Sequence, residues 1–187
     1  MSGSRASEVS MCLADLGQGD RSAVDRLLPH VYADLREMAG RMYLGRAADR
    51  TMQPTALVHE AYMRLVAPQR DDYESRLHFM SVAAMAMRQI LASYARDQRA
   101  QRRGGGKTVV LLTEADAASK ESLLDLVALD DALTQLQTLN ERQARTVELR
   151  FLAGLTVDET AEVLGVSPRT VKADWQMARG WLNRALS

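Results

Sequence analysis

The sequence predicts an all-α protein: two small helical domains, residues 1–103 and 122–187, joined by a flexible acidic linker at 104–121, with the second domain ending in a helix-turn-helix. Three observations carry this. Apolar residues recur at spacings of three and four along most of the chain, the period of a helix buried on one face. Strand-type alternation is nearly absent. Only four Pro occur in 187 residues, so long helical stretches run uninterrupted.

Taken in order, Glu8 to Leu16 is weakly amphipathic and predicts a short helix ending near Gly17 and Gly19. Asp20 can cap a second helix carrying Val24, Leu27, Val31, Leu35, Met38 and Met42. Pro29 inside that run predicts a kink or break just before it. Gly45 to Asp49 reads as a loop, and Pro54 opens a third helix through Val66. The polar run from Ala67 to Arg76 predicts an exposed loop. A long helix follows from Leu77 to about Arg99, rich in Ala and Met at its start and Arg at its end. Gly104 to Gly106 then mark a boundary, because consecutive glycines do not hold a helix. In the linker Thr108 to Leu112 is β-branched and apolar, fit for a lone strand or an extended docked piece. The helical pattern returns at Ser122, and Asn140 caps a helix holding Ala144, Val147 and Leu149.

The final stretch, LTVDETAEVLGVSPRTVKADWQMARGWL, reads as two helices joined by a tight turn. Thr156 with Glu159 forms a capping-box pattern. Gly165 stands where a left-handed C-terminal cap is wanted. Ser167 and Pro168 then suit the cap and first residue of a second helix. On that helix Val171, Trp175, Ala178 and Leu182 share one face. The free face holds Ser167 at its start, then Arg169, Thr170, Lys172, Ala173 and Gln176, a cationic hydrogen-bonding surface suited to a major groove.

Composition excludes several classes. A lone Cys12 rules out a disulfide framework within one chain and fits a reducing compartment. No apolar run approaches the ~20 residues needed to span a bilayer, and the N-terminus lacks the order of a signal peptide. The expectation is a cytoplasmic protein with no membrane partner. The net charge of zero hides an asymmetry. Arg88, Arg96, Arg99, Arg102, Arg103 and Lys107 lie against only Asp97, which predicts a polyanion site in the first half. Glu114, Asp116, Glu121, Asp125, Asp130, Asp131 and Glu141 lie against only Lys120. His59–Glu60 begins a zinc-helix pattern, but Met63 stands where its second His belongs, so no metal site, cofactor or catalytic role is expected.

Three stretches together resemble the extracytoplasmic-function (ECF) sigma factors, promoter-recognition subunits of bacterial RNA polymerase. These are LVHEAYMRLV (57–66), FMSVAAMAMRQILASYARDQR (79–99) and the region from Leu139 through the helix pair. The resemblance implies that the first grips the clamp coiled coil of the polymerase's largest subunit, through Leu57, His59, Glu60, Met63 and Arg64. It implies that melted minus-ten bases are held by Tyr73, Ser75, Arg76, Phe79, Met80, Arg88 and Arg96. Of these, Tyr73 is a loop aromatic with no helical face to bury into, whereas Phe79 and Met80 suit core packing equally well. The helix pair would bind the minus-thirty-five element as duplex. Partners implied are core RNA polymerase (clamp and flap region), promoter DNA and an anti-sigma factor. Asp174 stands where the family often has an Arg on phosphate, which implies weaker backbone affinity or a shifted geometry. The rival reading is a LuxR-like helix-turn-helix regulator with a helical sensor domain, for which 57–66 and 79–99 have no required role.

Overall fold

The structure, a computed structural model, describes residues 2–43, 53–67, 73–104 and 114–186. Among them it is all-α, with no strand. The helices are α1 (Ser2–Gly17), α2 (Ala23–Tyr43), α3 (Pro54–Leu65), α4 (Arg76–Gly104), α5 (Glu114–Leu139), α6 (Glu141–Val147), α7 (Val157–Leu164) and α8 (Pro168–Ala185). A π-helical turn, Glu148–Leu152, prolongs α6.

Local chemistry accounts for most helix ends. Asp20 accepts hydrogen bonds from the Ser22 backbone and hydroxyl at the entrance to α2. Pro54 occupies the first turn of α3, where its missing N–H is no loss. Asn140 accepts from the Gln143 N–H at 3.0 Å and opens α6. Thr156 and Glu159 complete the reciprocal box at α7, and Gly165, at φ +63°, closes it. Ser167 then caps α8 ahead of Pro168. The ends at α3, α6, α7 and α8 match their sequence expectations, whereas Asp20 bonds Ser22 just ahead of α2 rather than an N–H of the helix itself.

Elsewhere the boundaries differ. Helix α2 runs through Pro29 without a break. Pro29 is exposed, while Leu27, Val31, Leu35 and Met38 are fully buried on the opposite face. Burial at ~1.5–3 kcal/mol per large side chain outweighs the ~3 kcal/mol cost of one interior proline. Helix α4 continues to Gly104, and α5 begins at Glu114 rather than near Ser122. The expected loop at 45–49 and the expected strand at 108–112 lie outside the described residues, as do residues 68–72 of the loop at 67–76.

Helices α1 to α4 pack side by side, α1 on α2, α2 on α3 and α3 on α4. Helix α6 packs on α8, α5 on α6, and α7 on α8. The two groups meet where α4 lies along α5 and the π turn, and where α2 touches the π turn. Buried apolar residues from Val9 to Leu182 form one continuous cluster, with Trp175 and Trp181 packed at its margin.

Candidate nucleic-acid interface

Helix α8 divides cleanly. Val171, Ala178 and Leu182 are buried, Trp175 is half-buried, and together they seat the helix against α6 and α7. Ser167, Arg169, Lys172, Ala173 and Gln176 are exposed, and Thr170 is partly so. The six residues expected at a major groove therefore share an accessible surface. The Ser167 hydroxyl accepts from the Thr170 N–H at 3.1 Å, which fixes the start of this face.

Asp174 departs from expectation. It is buried, and Arg142 of α6 grips it with two bonds, Nε–Oδ2 at 2.6 Å and Nη2–Oδ1 at 3.3 Å. The Asp174 carboxylate consequently holds the Arg142 guanidinium above its ordinary pKa. The acid faces inward as a tie between α6 and α8, so it does not set a negative charge on the exposed face. Sequence spacing along α8 alone gave no sign of this, because the partner is 32 residues away.

Helix α3 likewise divides. Leu57, Val58, Ala61, Tyr62 and Leu65 are buried. His59, Met63 and Arg64 are exposed, Met63 to 56%, and Glu60 pairs with Arg64 one turn on. Leu57 was expected among the docking residues, but it is fully buried and supports that surface from beneath.

The residues expected to hold melted bases fall into three groups. Tyr73, Phe79 and Met80 lie in the core. The Tyr73 hydroxyl donates to the Leu65 carbonyl at 2.8 Å, and its ring meets Phe79 edge-on with centroids 5.1 Å apart. The expectation that this loop aromatic stays at the surface is therefore corrected: the groove between α3 and α4 supplies the burying face that the loop itself lacks. Ser75 accepts from the His78 N–H and caps α4, while Arg76 pairs with Asp34 of α2.

Arg88 and Arg96, about two turns apart on α4, face the second half of the chain. Arg88 lies between Asp130 and Glu148, 3.4 Å from each. Arg96 bonds Asp130 at 2.6 Å and Asp131 at 2.9 Å, and these bonds hold its guanidinium above its ordinary pKa. Arg145 of α6 reaches Glu148 and the Ser81 hydroxyl of α4. Arg41 of α2 donates to the Ala153 carbonyl at 2.6 Å, just past the π turn. Asp130, Glu148 and Arg41 were missed as functional candidates. The opposed charge runs at 88–107 and 114–141 were the available signal for Asp130.

Fold and surfaces define an all-α protein that presents a cationic helix face near its C-terminal end. Residues 6–187 match the family described as ECF sigma factor, and the chain belongs to that family. It is thus a sigma factor, of a non-enzymatic family that works with RNA polymerase and promoter DNA. No curated protein matches the chain. No helix among the described residues is long and apolar enough to cross a membrane.

Proposed function

We propose that this sigma factor binds core RNA polymerase and directs it to a specific set of promoters. The observation that supports this most strongly is the two-faced α8, whose buried side is anchored on α6 and α7 while its outer side is free. In this reading α7 and α8 form a helix-turn-helix that enters the major groove of the minus-thirty-five element. Arg169 and Lys172 address guanine and Gln176 adenine, each good pair being worth ~1–3 kcal/mol of discrimination. Ser167 and Thr170 hold backbone phosphate at the helix start, and Ala173 allows close approach.

The exposed surface of α3, with His59, Glu60, Met63 and Arg64, docks on the clamp coiled coil of the largest polymerase subunit. Exposed Met63 at the centre of charged neighbours suits such a contact, an apolar anchor within a polar rim. A second polymerase contact, near the flap, falls to the C-terminal half. The start of α4 with its preceding loop captures melted minus-ten bases. There Ser75 and Arg76 meet the strand, Tyr73, Phe79 and Met80 support the start of α4 from the core, and Arg88 and Arg96 supply cations along its path.

Promoter-bound transcription tests the reading. With core enzyme present, the protein should drive run-off transcription from promoters that core enzyme alone ignores. Arg64→Ala together with Met63→Ala should weaken core binding in a pull-down without altering duplex binding by the isolated chain. Unchanged core binding would remove α3 from the docking surface.

A further inference from the structure

The arginines assigned to the melted strand are already occupied. Arg96 is bonded to Asp130 and Asp131, and the Arg88 side chain, 11% exposed, lies between Asp130 and Glu148. All three carboxylates belong to the second half of the chain, on α5 and the π turn. A phosphate cannot reach Arg88 while that half stays where it is. We propose that the acidic face formed by Asp130, Asp131 and Glu148 sits in the strand-binding site of α4 in the free protein, and that single-stranded promoter DNA competes with it for Arg88 and Arg96. This rests on the reading that those arginines contact the melted strand.

Two further features fit a contact built to come apart. The first is that Arg88 is poorly satisfied: its Nε and Nη1 are buried with no hydrogen-bond partner, although Nη1 lies 3.4 Å from Asp130. A buried cation held by charge alone, at a distance too long for good hydrogen bonds, recovers little of its desolvation cost. A strand offering phosphates in water-accessible geometry would serve it better. The second is that, among the described residues, the other polar ties seen across this boundary are made by side chains, Arg41 to the Leu152 and Ala153 carbonyls and Arg145 to the Ser81 hydroxyl and the Met85 sulfur. No backbone ladder has to break for the halves to part; what opens is side-chain ties and the part of the apolar cluster the two halves share.

The competition is directional. Carboxylates and phosphates present the same charge to a guanidinium, so the two states differ chiefly in which anion is held. Closed, the chain shields its own strand site from stray nucleic acid. Open, it exposes that site and frees α6 to α8 to move to a second stretch of DNA. Affinity for a strand is then reduced by the fraction of molecules that are open.

The test measures binding of a labelled single-stranded minus-ten oligonucleotide to the full chain, with small-angle scattering on the same samples. Asp130→Asn/Asp131→Asn should tighten binding by about five-fold or more and enlarge the radius of gyration. Neutralising two exposed carboxylates on α7, Asp158→Asn/Glu162→Gln, controls for net charge and should change affinity less than two-fold. Arg96→Ala placed on top of the opened variant should lose most of the gained affinity. If it does not, the assignment of Arg96 to the strand fails. If Arg96→Ala does lose affinity yet the Asn pair gains nothing beyond the α7 control, the competition itself is overturned. Should the double variant fail to fold by circular dichroism, Asp131→Asn alone decides: its side chain is 57% exposed, and a smaller gain in the same direction is required.

Discussion

Arg169 and Arg142 show how two arginines in one helical unit do opposite work. Arg169 is exposed on α8, in the face proposed to read duplex. Arg169→Ala should relax sequence preference at one base position, by ~1–3 kcal/mol of discrimination, while leaving nonspecific binding little changed. Competition gel shifts with single-base variants check this; a uniform loss across sequences would make Arg169 a phosphate contact instead. Arg142 holds Asp174, whose side chain is 7% exposed against 49% for its own. Removing either partner breaks the tie, but the consequences differ. Arg142→Ala leaves a buried carboxylate unpaired, whereas Asp174→Asn leaves a guanidinium that water already reaches. Thermal denaturation should therefore show the larger loss for Arg142→Ala. Equal losses would mean the pair contributes packing alone.

At the scale of elements, two glycines share a left-handed backbone and differ in surroundings. Gly165, at φ +63°, ends α7 in open space. Gly154, at φ +75°, follows the π turn with the Arg41 guanidinium where a Cβ would stand. Gly165→Ala should cost about 1 kcal/mol from backbone conformation alone. Gly154→Ala should cost more, because the added carbon also displaces Arg41 from its carbonyl. Adding Arg41→Ala to Gly154→Ala should then cost less than the two single changes summed. Strict additivity in denaturant unfolding would contradict that coupling. Thr156→Ala should lower stability by ~0.5–2 kcal/mol through loss of the cap.

The same contrast explains what was legible in the sequence. Thr156, Glu159, Gly165, Ser167, Pro168 and Asn140 act on backbone groups within about three residues, so spacing reveals them. The outward face of α8 was legible for the same reason, since a helix period sorts its sides. Pro29 misled because its local cost is outweighed by burial of Val31 and Leu35 against other helices. Tyr73 misled because the groove that buries it is made by α3 and α4 together. The π turn carried no local mark, and the Ala153 carbonyl just past it meets Arg41 from 112 residues away. Local chemistry writes helix ends; distant partners decide where charged and aromatic side chains come to rest.

For the whole molecule, the charge pattern has a structural meaning that net charge conceals. Basic α4 and acidic α5 lie against each other, so the chain's own acids hold the arginines proposed to take a strand. The proposed sigma action requires those arginines and the face of α8 to meet different parts of one promoter while α3 rides on polymerase. The most direct measurement is start-site mapping of transcription by core RNA polymerase on a genomic template library, with and without the protein. The account predicts a discrete new set of start sites that share two upstream elements and disappear with the Met63→Ala/Arg64→Ala variant. Start sites unchanged by the protein across the whole library would contradict it.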